Sequence, residues 1–384
     1  MRDKLFSGIV LITLFVIPIC IVCREEKDIS VAENRALFRK ADIKLTNLNE
    51  DIGSFLEDQF IFGERIKKVY NICKNKIVGF SMRIIEKNKL MKLIPIGKDL
   101  YRIVNTDYYV YESESIDSTI DKYKLNIDSL NNICERHNEI EFYVYNHVVD
   151  STIVNQEQYN EFIERSLDNR IKIKNSEYIK SYDDYQKYFY KTDHHWNKDG
   201  SYEGYLEITK LLGIDNPIQV KGTKIIDDVK FYGSKARALG NYDIYDEFEV
   251  NIFDFPNMNV EINYKQTDDY GKSKQYFQNI INRDDVENNH YADFYGDDNG
   301  IIKFTVPEND GNGSILIFSN SYSNAINKLI ACHYQETFVV DTRHYEAENG
   351  EKFSFDKFVQ EHHIDKVLII GNNYYYKNEE NAIK

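Results

Sequence analysis

The sequence predicts an α/β protein whose main domain has a parallel sheet covered by helices on both faces. Three short apolar runs near the C-terminus carry this prediction, and they occupy residues 315–318, 337–341 and 366–370. Central strands of parallel sheets are continuous apolar runs because neither face of the sheet meets water. Helical patterns separate the runs, and strands that alternate with helices are typical of this architecture.

The predicted helices have apolar residues at helical spacing. Residues 322–333 and 353–363 fill the gaps between the three runs, and each places its apolar side chains on one face. Earlier in the chain, residues 116–137 carry apolar residues three and four positions apart, ahead of a strand at 140–145. These helices are expected to cover the sheet.

A further helix is marked by apolar residues between Tyr202 and Leu212. Asp199 is a residue type that caps helix N-termini, and we expect it to cap this one. Gly213 stands where a left-handed residue would end the helix.

The chain divides into three predicted parts. Residues 1–23 form a transmembrane signal anchor, residues 24–100 a helical stem, and residues 101–384 the α/β domain. Within that domain, residues 217–310 are polar, aromatic and rich in Gly-Asp and Asn-Gly pairs. This composition predicts an irregular, β-rich insertion of short strands and long loops.

The anchor prediction rests on residues 5–23, which carry no charge. As a helix they reach roughly 28 Å at ~1.5 Å per residue, enough to cross the apolar layer of a bilayer. Arg2 and Lys4 precede the run, so the positive-inside bias places the bulk of the chain outside the cytoplasm. A cleaved signal peptide is the alternative, but the small residues of a cleavage site are missing before Cys23.

Composition excludes some classes of partner and site. The net charge is -15 and the pI about 5.2, so nucleic acid is not an expected partner. Beyond the anchor the cysteines are Cys73, Cys134 and Cys332, too few and too dispersed for a disulfide framework or a zinc site. No cofactor is predicted.

The segment 191–200 places a carboxylate two residues before a histidine, beside the one tryptophan of the chain. Asp193 can hold the tautomer of the His195 imidazole, and Trp196 can pack the loop and lower the local dielectric constant. In this interpretation His194 faces away. Two alternatives stay open: a histidine-rich surface turn, and a metal site of Asp193, His194 and His195 with further ligands from elsewhere.

Ser321 follows the apolar run 315–318 and lies in the first turn of the next predicted helix. Ser321 is therefore expected at the edge of the sheet where the carboxyl ends of the strands lie, and ligand sites of open parallel sheets lie there. A helix N-terminus also offers unpaired N–H groups to a developing oxyanion. A serine, a histidine and an aspartate are the parts of an acyl-transfer site. The alternative is that Ser319 or Ser321 only caps the helix.

The Asp-His-His-Trp string resembles the DHHW-motif proteins, which are relatives of the alginate O-acetyltransferase accessory proteins and have an SGNH-hydrolase-like fold. Other segments, spread over most of the chain, resemble the same family. They are Glu33-Asn34-Arg35, Asp58-Gln59-Phe60 with Arg65, Phe231-Tyr232-Gly233-Ser234, Ser321-Tyr322 and Asp341-Thr342-Arg343-His344-Tyr345.

The resemblance implies that Ser321 is the nucleophile, His195 the base and Asp193 the residue that orients the base. It also implies that Gly233 lends a backbone N–H to the oxyanion hole. Arg237, close by in the sequence, could meet a substrate carboxylate, with a surface arginine as the alternative.

Trp196 and Tyr322 are two further candidates for contact with the substrate.

Relatives usually have Gly-Asp or Gly-Thr before the nucleophile, whereas this chain has Ser319-Asn320. Glycine permits strained backbone or close approach, so the difference bears on whether the site is catalytic.

The function implied is an extracytoplasmic serine-dependent O-acetyltransferase or acetylesterase that acts on a cell-envelope or secreted polysaccharide through an acyl-enzyme. A membrane-bound partner would supply acetyl groups, because acetyl-CoA is cytosolic. A catalytically inactive protein of this fold that binds carbohydrate or assists polysaccharide assembly is the second hypothesis, motivated by Ser319-Asn320. A metal-dependent hydrolase is the third.

Overall fold

The computed structural model describes residues 21–24, 26–30, 35–44, 47–60, 92–97, 99–116, 120–268, 270–281 and 286–384. All of the predicted anchor except residues 21–23 lies outside the described residues, as do residues 61–91 of the predicted stem. Within the described ranges, no helix combines the length and the apolar character needed to cross a membrane. The anchor therefore stays a prediction.

The strands are numbered in chain order, and their bounds are β1 Ile29–Ser30, β2 Arg35–Ala36, β3 Leu93–Pro95, β4 Leu100–Ile103, β5 Tyr109–Tyr111, β6 Glu141–Asn146, β7 Lys172–Asn175, β8 Gly222–Phe231, β9 Asp246–Ile252, β10 Asn259–Ile262, β11 Lys265–Thr267, β12 Ile301–Thr305, β13 Ser314–Phe318, β14 Glu336–Val340 and β15 Lys366–Gly371.

The α-helices are numbered in the same way, and their bounds are α1 Leu48–Asp58, α2 Ile120–Arg136, α3 Gln156–Ser166, α4 Tyr182–Tyr188, α5 Lys198–Leu212, α6 Ser234–Leu239, α7 Ser273–Phe277, α8 His290–Tyr295, α9 Asn327–Ala331, α10 Thr342–Asn349, α11 Phe355–Glu361 and α12 Asn373–Lys377.

The chain forms two compact units. The first contains residues 1–92 and 234–244, and its described elements are β1, β2, α1 and α6. The second contains residues 93–233 and 245–384 and holds the main sheet.

The main sheet has the strand order β11-β10-β12-β14-β13-β15-β6-β7. The strands β14, β13, β15, β6 and β7 are parallel, so the α/β prediction is confirmed for this part of the sheet. The three C-terminal apolar runs are its centre, β13 lying between β14 and β15.

The sheet as a whole is mixed rather than parallel as predicted, because β12, β10 and β11 extend it antiparallel. Asn263 and Tyr264 connect β10 to β11 with φ of 49° and 61°. Two consecutive positive φ values make the tight hairpin turn that only antiparallel strands can share. Part of the predicted insertion 217–310 therefore belongs to the main sheet, while β8 and β9 pair as a separate ribbon.

Helices cover both faces of the main sheet. Side chains from α4, α5 and α9 join one core cluster with Ile315, Ile317 and Leu368. Side chains from α2, α3 and α11 join the other with Leu316 and Phe318. Successive residues of β13 thus point to opposite cores, which is why this strand is apolar at every position.

Two details of the predicted helices are corrected. Asn197, not Asp199, caps α5, because Asn197 has extended backbone angles and its side chain accepts the N–H groups of Asp199 and Gly200. Gly213 ends α5 with φ of 71°, as predicted. The predicted helix 322–333 is a 3-10 turn, Ser321–Ala325, followed by α9, since Ile326 leaves the helical conformation with φ of -123°.

Candidate active site

The loop that carries the two adjacent histidines is closed at its base. Phe189 and Trp196 form an isolated antiparallel bridge, and the Tyr190 N–H donates to the His195 carbonyl at 3.2 Å. Trp196 is buried against α5, where a Cβ on Gly204 would lie 2.7 Å from the indole ring. The tryptophan therefore anchors the loop in the core and holds His195 at a fixed position.

The Asp193 carboxylate contacts the imidazole of His195. Its Oδ1 accepts the backbone N–H of His195 at 2.9 Å and lies 2.6 Å from His195 Nδ1. Both residues are buried. When Asp193 is ionised its carboxylate can only accept, so Nδ1 is the donor to it and Nε2 can accept the Ser321 hydroxyl.

Ser321 completes the arrangement from the carboxyl end of β13. Its Oγ lies 2.8 Å from His195 Nε2, although the two residues are 126 positions apart in the chain. This distance is that of a hydrogen bond between a nucleophile and its base. The three predicted residues therefore form a Ser–His–Asp triad.

The turn that presents Ser321 is capped by Asn320, whose side chain accepts the Tyr322 N–H at 3.3 Å. The alternative in which Ser321 is only a cap is wrong, because the Ser321 hydroxyl contacts the imidazole. Ser319 Oγ lies 2.5 Å from Ser323 Oγ, within the turn. Neither Ser319 nor Asn320 has positive φ, so this turn does not require glycine before the nucleophile.

Gly233 does not have the predicted oxyanion geometry. Its N–H donates to Thr192 Oγ1 at 3.0 Å, so it is not available to an oxyanion in this conformation. A Cβ on Gly233 would lie 2.3 Å from the Cβ of Asp193 and 2.5 Å from the Thr192 carbonyl oxygen. The glycine is needed because the backbone just after β8 passes directly against Thr192 and Asp193.

Arg237 belongs to the first compact unit, in α6. The alternative of a surface arginine is wrong, because Arg237 is 3% exposed. Trp196 and Tyr322 are 1% and 2% exposed. Both are therefore packed inside the protein beside the site, and neither offers an open face to a substrate.

The catalytic interpretation expected His194 to face away from the site, and this expectation is wrong. Its ring centroid lies 3.9 Å from that of His195, and its Nδ1 lies 3.6 Å from Asp193 Oδ1. The Tyr322 hydroxyl donates to the His194 carbonyl at 2.8 Å. The loop is thus turned rather than extended at this point, which brings adjacent side chains to the same side.

A metal site of Asp193, His194 and His195 requires ligand atoms close together, and in the described residues these atoms lie within 4.8 Å of one another. However, His195 Nδ1 already contacts Asp193 and Nε2 contacts Ser321. A metal on His195 would have to displace one of these hydrogen bonds, so the geometry favours the triad.

Two buried groups that sequence reasoning missed support the triad. Asp246 accepts the N–H groups of Lys191 and Thr192 at 2.7 and 2.9 Å, and the Thr192 hydroxyl at 2.6 Å. Burial raises the pKa of Asp246, and these donors oppose that shift. Asp246 thereby fixes the backbone immediately before Asp193. A single aspartate in an irregular segment gives no sequence signal for this role.

His147, after β6, is the second missed group. Its ring lies 4.2 Å from Tyr322 and 5.3 Å from Trp196, centroid to centroid. Burial lowers the pKa of His147 to about 3, so it is neutral. Its Nε2 accepts the side-chain N–H of Asn372 at 2.8 Å. A neutral imidazole adds no charge beside the base.

The structure is similar in fold to three solved structures. Bacillus cereus PatB1 matches with a TM-score of 0.56 and 16% identity, over 73% of this chain and 99% of that chain. A PatB1 structure with a sulfonyl adduct gives 0.55 and 16%, over 72% and 97%. A DHHW family protein from Eubacterium siraeum gives 0.53 and 18%, over 73% and 92%.

These likenesses show the shared fold, as the resemblance of the sequence motifs implied. No protein-family model matches the chain, and no curated protein matches it in sequence.

Proposed function

We propose that this chain is a serine-dependent acyltransferase or esterase, with Ser321 as nucleophile, His195 as base and Asp193 as the orienting acid. The observation that carries the proposal is the continuous hydrogen-bonded line from Asp193 through His195 to the Ser321 hydroxyl. Three side chains of the right chemistry, in the right order and at hydrogen-bond distance, are what this reaction requires.

In the proposed reaction, Ser321 Oγ bonds to the acyl carbon while its proton passes to His195 Nε2. Asp193 stabilises the resulting imidazolium, which returns the proton to the leaving group as the bond to that group breaks. The acyl-enzyme is then attacked by an acceptor hydroxyl or by water. The attacking oxygen gives its proton to His195, and that proton returns to Ser321 when the serine is released.

The oxyanion needs a donor other than Gly233. Within the described part of the chain, the Tyr322 N–H donates to Asn320 and the Ser323 N–H to the Asn320 carbonyl, whereas the Ser321 N–H has no acceptor. The N–H of the nucleophile itself is therefore our candidate, in the manner of serine hydrolases that use this group.

For substrate, we propose an acetyl group and a cell-envelope or secreted polysaccharide as the acceptor. Support comes from the resemblance of the motifs to the DHHW family. The same proposal places the chain outside the cytoplasm, tethered by residues 1–23, with a membrane-bound partner as acetyl donor. Among the described residues, the exposed rings of Tyr245 and Tyr264 suit contact with sugar rings.

The experiment uses an activated acetyl ester with the full chain. Wild type is expected to release acetate and to form an acetyl-enzyme on Ser321, detectable by peptide mass spectrometry. A sulfonyl fluoride should modify the same serine, since a sulfonyl adduct exists for PatB1. Ser321→Ala is expected to lower the rate by about a thousandfold or more, because the nucleophile is gone.

Ser319→Ala is the matched control. This serine is two residues away and its hydroxyl contacts Ser323, not the imidazole, so the variant should retain acetate release. Equal rates in wild type and Ser321→Ala would contradict the proposal and favour a non-catalytic carbohydrate-binding protein.

A further inference from the structure

An aromatic ring outside the triad covers the imidazole of His195. Tyr291, in α8, stacks on it with ring centroids 3.9 Å apart and ring planes 11° apart. The Tyr291 hydroxyl donates to the backbone carbonyl of Ser321 at 3.4 Å. One side chain therefore contacts both the base and the residue that carries the nucleophile.

The position of this ring is determined by its own surroundings. The Asn289 side chain caps α8 by accepting the Ala292 N–H. Tyr190 and Tyr295 pack against Tyr291 with centroids at 6.4 and 5.0 Å. Tyr291 is 1% exposed, so its ring has little room to move away from His195.

A stacked aromatic ring affects an imidazole in two ways. It restricts rotation of the imidazole plane, and its negative face attracts the imidazolium that forms when His195 takes the serine proton. Burial raises the pKa of Tyr291 well above its usual range. The hydroxyl therefore stays protonated and remains a donor to Ser321.

We propose that Tyr291 is a positioning residue of the active site, which fixes the His195 imidazole plane, stabilises its charged form and ties it to the turn that carries Ser321. The inference rests on the proposed function only in that His195 acts as the base. It also gives the segment 217–310, predicted as an insertion, a direct part in the site.

Other groups that face the imidazole must be considered in any pH measurement. Asp193 is the hydrogen-bonded carboxylate, and the ring of His194 lies 3.9 Å away. Tyr322, at 5.2 Å, has a pKa raised well above its usual range by burial. His147 is neutral because burial lowers its pKa to about 3.

The test compares Tyr291→Leu with Tyr291→Phe in the full chain. Leucine keeps the position apolar but removes the π face, whereas phenylalanine retains the ring that stacks on His195. In Tyr291→Leu, the acid limb of kcat/KM and the NMR titration midpoint of the His195 imidazole are expected to move to lower pH. The expected shift is about half a unit to one unit, since imidazolium loses a cation–π contact.

Tyr291→Phe keeps the ring and should leave both midpoints unchanged. Equal midpoints in wild type and Tyr291→Leu would overturn the proposal. If Tyr291→Leu does not fold, the test uses the wild type alone. Nuclear Overhauser contacts between the rings of Tyr291 and His195 are expected, and their absence overturns the proposal. A wild type without esterase activity would defeat the proposed function, whereas the NMR comparison would still decide the role of Tyr291.

Discussion

Asp193 shows how one carboxylate can serve both the backbone and the chemistry of a site. Its Oδ1 accepts the His195 N–H and the His195 imidazole, so the same atom shapes the loop and selects the tautomer. Thr192, the preceding residue, is held by Asp246 and in turn accepts the Gly233 N–H. These four hydrogen bonds, two made by Asp193 and two by Thr192, hold the His195 imidazole against Ser321.

Gly233→Ala tests whether the close approach of Gly233 to Asp193 matters for stability and activity. The added Cβ would lie 2.3 Å from the Cβ of Asp193, and backbone on both sides leaves no flexible side chain to give way. We expect a loss of about 1–3 kcal/mol in unfolding free energy, as for overpacked cores, with a lower kcat because Asp193 is displaced. Thermal denaturation and acetate release measure the two effects.

The matched control is Gly222→Ala, at the first residue of β8, the strand that ends at Phe231 just before Gly233. A Cβ at Gly222 would meet nothing within 4 Å, so stability should change by less than about 0.5 kcal/mol. Wild-type stability and rate in Gly233→Ala would show that the close approach to Asp193 is unimportant.

At the scale of elements, the start of α5 and the loop before it are built as one unit. The Asn197 side chain caps α5, and its Nδ2 donates to the carbonyls of Lys187 and Phe189 at 2.9 and 3.3 Å. Its N–H donates to the Tyr188 carbonyl. Asn197 therefore joins the end of α4 to the start of α5 and closes the histidine loop between them.

Asn197→Ala should be more destabilising than an ordinary cap substitution. Loss of the cap costs about 1 kcal/mol. The part-buried carbonyl of Phe189 also loses its donor, at about 1 kcal/mol, whereas water can replace the donor at the exposed carbonyl of Lys187. We expect about 2 kcal/mol in all, measured by urea denaturation. Asp199→Ala is the comparison, because its half-exposed side chain pairs only with Lys198; there we expect less than about 1 kcal/mol. Equal losses would refute the assignment of the cap.

For the whole molecule, the parallel part of the sheet explains where the site lies. Ser321 follows β13, His147 follows β6 and Asn372 follows β15, and these strands are parallel neighbours. Their carboxyl ends therefore meet at one edge, where ligand sites of open sheets form. The histidine loop reaches this edge from α4 and α5, which cover one face of the sheet.

A buried acid between α5 and the sheet gives a prediction about stability and pH. Glu207 accepts the Tyr145 hydroxyl at 2.8 Å and the Glu177 N–H at 3.0 Å, and burial raises its pKa. A raised pKa means that the folded chain holds this proton more tightly than the unfolded chain. Its contribution to stability is therefore present at low pH and is lost as the pH rises through the folded-state value.

Glu207→Gln removes this titration while a tyrosine hydroxyl can still pair with the amide. We expect the variant to be more stable than wild type at neutral pH, and the difference to shrink as the pH falls below the raised value. Thermal denaturation at several pH values measures this. Glu203→Gln, on the same helix but only half-buried, is the control. A stability difference between Glu207→Gln and wild type that grows towards low pH would contradict the prediction.

Much of this protein follows from local patterns in the sequence. Continuous apolar runs correctly place the central strands β13, β14 and β15, because a strand buried on both faces admits few polar residues. The spacing of Asp193 and His195, and a serine after a buried strand, point to the three side chains that the structure brings into contact. These signals are local, and each depends on a few neighbouring residues.

Only the tertiary structure shows which distant residues meet. The antiparallel direction of β10 to β12, the approach of Gly233 to Asp193 and the stacking of Tyr291 on His195 leave no local pattern. Tyr291 is one of 30 tyrosines, in a segment without clear periodicity. Its role arises from packing between α8 and the histidine loop, and such contacts depend on the arrangement of whole elements in space rather than on the order of residues in either one.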